Sequence, residues 1–264
     1  MNQPELNTQD IIKLYTEDKL SARKIGELYG THHRYITDVL RSNDIPIRSK
    51  SEQNRTLYHD PSVFKEPLTP QAAYWLGFIA ADGCVRRRKG EHIVQVKLSI
   101  SDIDHVQKLK EFLKSEHKVI TGTDKGMNKD YCMFMINSEE LYKTLQYWGI
   151  HPRKTYTLYF PYHLPEELWS SYILGFFDGD GWITFRNRDN LPRFGVGDMT
   201  NIIYSIHEIL IDNCELNNTK INVNKRGFKT LHFSGIDQVS RIRDYLYSHD
   251  IYSLPRKKEK MFSF

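Results

Sequence analysis

The chain has 264 residues, 39% hydrophobic and 27% charged, with 37 Lys and Arg against 33 Asp and Glu, a net charge of +4 and a pI near 8.7. That balance excludes a disordered or fibrous chain, and the apolar run from 72 to 81 is too short for the roughly 20 residues of a membrane-spanning helix. Cys84, Cys132 and Cys214 are too scattered for a disulfide framework or a zinc site, and Met1-Asn2-Gln3-Pro4-Glu5 has no secretory pattern, so a reducing, cytoplasmic location is expected.

Residues 1–50 predict a small all-α domain. Ile11, Ile12, Leu14 and Tyr15 fall at helical spacing, Ser21 suits the start of a second helix with Ile25 and Leu28, and Gly30 suits a turn. Thr31 is then placed to cap a third helix carrying Tyr35, Ile36, Val39 and Leu40. This order fits a helix-turn-helix, whose last helix presents its first residues to the DNA major groove; those residues are Thr31, His32, His33, Arg34 and Tyr35. It also fits a plain three-helix bundle with a solvated face. Residues 51–68, punctuated by Pro61 and Pro67, read as a linker, either tracking phosphates or simply joining two modules.

From Thr69 the pattern is two rounds of helix, hairpin, helix, hairpin, helix, at 69–160 and 161–264. Each round opens with an apolar helix, Tyr74-Trp75-Leu76-Gly77-Phe78-Ile79-Ala80-Ala81-Asp82-Gly83 and Tyr172-Ile173-Leu174-Gly175-Phe176-Phe177-Asp178-Gly179-Asp180-Gly181. Helices apolar all round are core helices. Gly77 and Ala81, like Gly175 and Gly179, form a smooth i, i+4 strip along which the two copies are expected to pack. Each helix ends in Asp-Gly, where the glycine suits a left-handed cap. The aspartate opposes the helix dipole, and two apposed aspartates repel. Divalent cations would relieve both costs.

Alternation puts Val94, Val96, Leu98 and Ile100 on one face of the first sheet and leaves the other open. Arg86, Arg88, Gln95, Lys97 and Ser99 project from the open face of the first round. Thr184, Arg186, Arg188, Arg193, Lys220, Asn222, Asn224, Thr230 and His232 project from that of the second. These are side chains that read base edges and grip phosphates, with no acid among them. Pro152-Arg153-Lys154 and Pro255-Arg256-Lys257 close the two rounds.

The paired helices, over Trp75–Gly83 and Ile173–Gly181, resemble the motif of the LAGLIDADG homing endonucleases in their single-chain, two-motif form. Ala80 stands where the motif has its first aspartate, and Asp178 fills that place in the second copy. The resemblance implies an α+β fold, a pseudo-two-fold duplicated αββαββα with an antiparallel sheet saddle over double-stranded DNA. It implies site-specific double-strand cleavage with Mg2+ or Mn2+, leaving short 3′ overhangs. Asp82 and Asp180 would hold the metal with the carbonyls of Ala81 and Gly179, and Lys154 and Lys257, or the adjacent Lys258, would help activate water. A monomer without membrane contact is expected. A non-catalytic DNA-binding regulator and a maturase acting on intron RNA remain as alternatives.

Overall fold

The computed structural model describes residues 7–18, 20–48 and 57–264. Residues 51–56 of the expected linker, and 49–50 before it, lie outside these. The chain divides into two units, Met1–Thr56 and Leu57–Phe264.

In the first unit, α1 (Thr8–Thr16), α2 (Ala22–Leu28) and α3 (His33–Ser42) enclose Ile11, Tyr15, Ala22, Ile25, Ile36 and Leu40. Ser21 caps α2 as expected, its hydroxyl accepting from Lys24 N at 3.2 Å, and Gly30 takes a left-handed φ of 63°. Thr31 does not cap α3. His32 does, through Nδ1 accepting from Arg34 N at 3.3 Å, while Thr31 N donates to the Gly26 carbonyl at 2.8 Å and closes the turn.

The second unit begins earlier than a linker ending at residue 68 allows. Asp60 caps a 3-10 turn, Pro61–Phe64, that buries Phe64 in the main core. The first round is α4 (Pro70–Asp82), β1 (Gly83–Arg88), β2 (Glu91–Ser99), α5 (Ile103–Phe112), β3 (Ile120–Asp124), β4 (Lys129–Asn137) and α6 (Glu139–Tyr147). The second is α7 (Trp169–Asp180), β5 (Gly181–Phe185), β6 (Pro192–Asp198), α8 (Ile202–Cys214), β7 (Asn222–Val223), β8 (Lys229–Ser234) and α9 (Ile236–Leu246). A further helix, α10 (Pro255–Met261), carries the second Pro-Arg-Lys. The sheets have matching antiparallel orders, β1-β2-β4-β3 and β5-β6-β8-β7. One continuous core underlies both rounds.

The α4 and α7 helices pack backbone to backbone. A Cβ on Gly77 would lie 1.9 Å from the Tyr172 carbonyl oxygen, and one on Gly175 would lie 1.9 Å from that of Tyr74. Each helix passes directly into a strand. Gly83 and Gly181 are therefore not left-handed caps: their φ values are −73° and −96°. They are glycines because a Cβ would strike the carbonyls of Ile79 and Phe177, at 2.5 and 2.6 Å.

Two expected strands shorten. The segment expected to carry Arg186 and Arg188 on the sheet leaves it after Phe185, because Arg186 folds onto Asp189 and its backbone N–H bonds Leu191 O at 2.9 Å. Only Asn222–Val223 pairs in the segment 219–224.

Candidate active site and nucleic-acid interface

The paired helices end side by side. A Cβ on Gly179 would come within 2.4 Å of Ala81 Cβ and 3.3 Å of the Asp82 backbone nitrogen, so the two terminal turns touch. Asp82 is solvent-accessible and Asp180 half-buried. Neither helix has a basic residue in its last turn, so each negative dipole end takes its cation from elsewhere.

Lys154 is launched by Arg153, which holds a left-handed φ of 61° before the 3-10 turn Lys154–Tyr156. Its Nζ donates to the carbonyls of Ala80, at 2.6 Å, and Ala81. The Ala81 carbonyl, expected beside the metal, is thus engaged by an ammonium. Lys257, buried on α10, donates to the carbonyls of Phe177 at 2.6 Å, Asp178 at 2.8 Å and Gly181 at 2.6 Å. Lys258 lies exposed over the Tyr247 ring. Of the two adjacent lysines, Lys257 is the one that reaches the helix end.

Burial and charge shape the titration. Burial, then the neighbouring Asp82 charge, pushes Asp180 up to about 6, against the pull of Lys154. Asp82 is also raised by burial, with Lys257 and Lys154 pulling it back. Both lysines are lowered by burial, Lys257 to about 8. The ends form one mutually interacting cluster of two acids and two bases.

Each acid opens onto a cavity. That of Asp82, about 480 Å3, is also lined by Lys97, Ser99, Asp102 and Arg256. Arg256 forks onto Asp102, with Nε to Oδ1 at 2.9 Å and NH2 to Oδ2 at 3.1 Å. That of Asp180, about 280 Å3, is lined by Lys154, Asp198 and Phe228 among others. Asp198 accepts from Thr200 N and Oγ1, both at 2.6 Å. Asp102 and Asp198 carry no sequence signal of their own; only the fold brings them here. Among the described residues no group of three or more His, Cys, Asp or Glu side chains is arranged to hold a metal. Two solvent-reached carboxylates suit a divalent cation that keeps waters and takes phosphate oxygens rather than an all-protein cage.

Asp178 is the buried partner of this site. Its Oδ2 accepts from Tyr74 Oη and Leu254 N, both at 2.7 Å, while Oδ1 has no hydrogen-bond partner among the described residues. Tyr74 Oη also meets His105 Nε2 at 3.1 Å. Burial raises Asp178 to about 6, against the pull of those hydrogen bonds. One carboxyl thus ties α4, α7 and the segment leading to Lys257 together. At the matching place α4 has the buried Ala80.

Register places the sheet residues, because directly opposed residues share a face. In the first sheet the open face carries the rows Cys84–Gln95–Met135, Arg86–Ile93–Asn137, Lys97–Met133–Ile120 and Ser99–Tyr131–Gly122. Arg88 opposes Glu91, and Lys97 pairs with Asp124 at 3.0 Å, so the expected acid-free face does contain acids. In the second sheet the corresponding rows are Trp182–Gly195–His232, Thr184–Arg193–Ser234 and Gly197–Thr230–Asn222.

Four expected contacts lie off these rows. Arg186 is paired with Asp189, and Arg188 sits in the adjoining turn. Lys220 precedes β7. The Asn224 side-chain oxygen accepts from Arg226 N at 2.8 Å and Phe228 N at 3.1 Å, so it serves the turn. The apolar members, Trp182, Met133, Met135 and Ile120, were legible from alternation, but a search for polar side chains passes over them. In the first unit His33, Arg34 and Tyr35 are exposed at the start of α3.

Residues 69–149 match the family profile of the LAGLIDADG-like domain. The first of the two rounds is a LAGLIDADG-like domain. A lysine-to-alanine mutant of I-SmaMI shares the fold at a TM-score of 0.51 and 14% identity, over 73% of this chain and 89% of that one. The LAGLIDADG homing endonuclease I-GzeII in complex with its DNA target follows at 0.45 and 13%, over 73% and 87%. The N-terminal LAGLIDADG domain of DUF199/WhiA gives 0.47 and 14%, over 76% and 92%. No curated protein sequence matches. At these identities the likeness is one of fold alone.

Proposed function

We propose that the protein is a site-specific double-strand DNA endonuclease, with the saddle of two sheets on the duplex and one active centre per strand. The observation that carries this reading is the pair of aspartates at touching helix ends, each helix end held by its own lysine.

Asp82 and Asp180 would hold Mg2+, with Mn2+ able to substitute, and the ion would polarise the scissile phosphate and lower the pKa of attacking water. The chain's own residues supply the rest. The aspartates keep their negative charge toward the duplex backbone only when a cation offsets it. Lys154 and Lys257 hold the helix ends in place and supply positive charge beside the phosphates. Arg86, Gln95, Lys97, Thr184, Arg193 and His232 orient the duplex. The three-helix unit adds a flanking contact through His33, Arg34 and Tyr35 and raises overall affinity by linkage.

The test is selection of bound duplexes from a randomised pool in Ca2+, followed by transfer of half to Mg2+ and sequencing of the ends. Enriched sites cut at fixed positions with 3′ overhangs support the reading. Enriched sites that stay whole in Mg2+ contradict it and leave a binding protein. A failure to enrich any DNA removes the duplex as partner.

A further inference from the structure

Register makes the two open faces comparable residue by residue. Gly83 opposes Val96 and Gly181 opposes Val196, so Met135 of the first sheet corresponds to His232 of the second. In the same way Met133 corresponds to Thr230 and Ile120 to Asn222. Three apolar residues thus stand where the duplicate copy has three hydrogen-bonding ones. They face away from the core: Met135 is 37% exposed, Ile120 47%, and Met127 in the following turn 67%. Single exposed apolar side chains need no explanation. Here Met133 and Ile120 share a row and Met135 adjoins it, with Lys97, Gln95 and Arg86 beside them.

We propose that the first sheet reads a thymine-rich half-site by apolar contact with the 5-methyl groups of the bases, and that the second reads its half-site by hydrogen bonds. This rests on the reading that the sheet faces bind duplex DNA. The thymine methyl is the apolar group that the major groove presents to a protein. Methionine, unbranched and polarisable, adapts its shape to such a group without a fixed hydrogen-bond geometry. The flanking cations meet the phosphates on either side, which a purely apolar partner would leave buried and unpaired. In the second sheet Trp182 lies over Gly195 and Phe228 over Gly197, filling the floor and leaving His232, Thr230 and Asn222 as the groups that reach outward.

The test uses the full chain and the duplex it selects in Ca2+, with thymine replaced by uracil in one half or the other. The change removes methyl groups and nothing else. Uracil in the half facing the first sheet is expected to weaken binding roughly threefold to fivefold per contacted methyl, and uracil in the other half to leave it nearly unchanged. The Met133→Ser/Met135→Ser variant is expected to lose that sensitivity in the same half, which also fixes the orientation. Equal effects in both halves, or none while the wild-type chain still binds its selected site, overturn the proposal without touching the DNA reading. No selected site at all overturns the DNA reading and this proposal with it.

Discussion

At the end of α4, two carbonyls meet a lysine carried by a short 3-10 turn; at the end of α7, three carbonyls meet a lysine buried on a helix. The first half has Ala80 beneath its acid, whereas the second has Asp178, bonded to Tyr74 of the opposite helix and to the backbone leading into α10. The duplication therefore preserved the acids, the glycines and the lysines while changing what holds them. The parts fixed by backbone contact are the same in both halves. The parts fixed by side chains have diverged, which is what an asymmetric duplex would allow.

The glycines test the symmetric part. Gly77→Ala and Gly175→Ala each place a Cβ 1.9 Å from a carbonyl oxygen of the other helix, and forcing the backbones apart should cost at least about 3 kcal/mol. Urea melts should show equal losses; a tolerated Gly175→Ala beside a ruinous Gly77→Ala would break the equivalence.

Asp178 tests the divergent part. Asp178→Ala strands Leu254 N and leaves Tyr74 Oη with His105 alone, and should cost about 2–3 kcal/mol. Ala80→Asp should also destabilise, since the only counterpart of those donors shown among the described residues is the buried Tyr172 hydroxyl, the equivalent of Tyr74, and a stabilising Ala80→Asp would show that the first half can accept the same device.

A third effect is a dependence on pH. Asp178 is raised from 3.8 to about 6 in the fold. Between these values the folded chain keeps a proton that the unfolded chain releases, so this contribution is full below about 4 and lost as pH rises through about 6. The difference in stability between wild type and Asp178→Asn should shrink by roughly 2 kcal/mol across that window. Asp180, raised to about 6 largely by burial and Asp82, has the same sign. Mg2+ should flatten its share while leaving that of Asp178. A difference independent of pH would contradict the burial of the Asp178 carboxyl as the cause of its raised pKa.

The smallest effect belongs to Arg256→Ala. Asp102 is mostly buried but Arg256 is half-exposed, so losing their fork should cost no more than about 1 kcal/mol in thermal melts.

The motif helices, the duplication and most strands were legible because burial leaves periodic marks and the glycine spacing repeats. Contacts between distant segments leave none. Nothing in the adjacency of Lys257 and Lys258 says which reaches Phe177 O; that follows only from the face α10 presents to α7. Asp178 resembles any acid before a turn until Leu254 arrives from 76 residues on. Arg186 and Asn224 were misplaced for a local reason, because Asp189 and the backbone of the 224–228 turn compete for their side chains. The apolar rows of the first sheet were present in the alternation, but their meaning depends on comparison with the second sheet, and that comparison needs the register.

The central claim is that Asp82 and Asp180 at the touching helix ends carry out cleavage of the two strands. The direct measurement is cutting of the selected duplex, labelled on each strand, by Asp82→Asn, Asp180→Asn and the double variant in Mg2+, with binding measured in Ca2+. The account predicts that all three bind and that none gives a double-strand break. A double variant that still cuts both strands would contradict it.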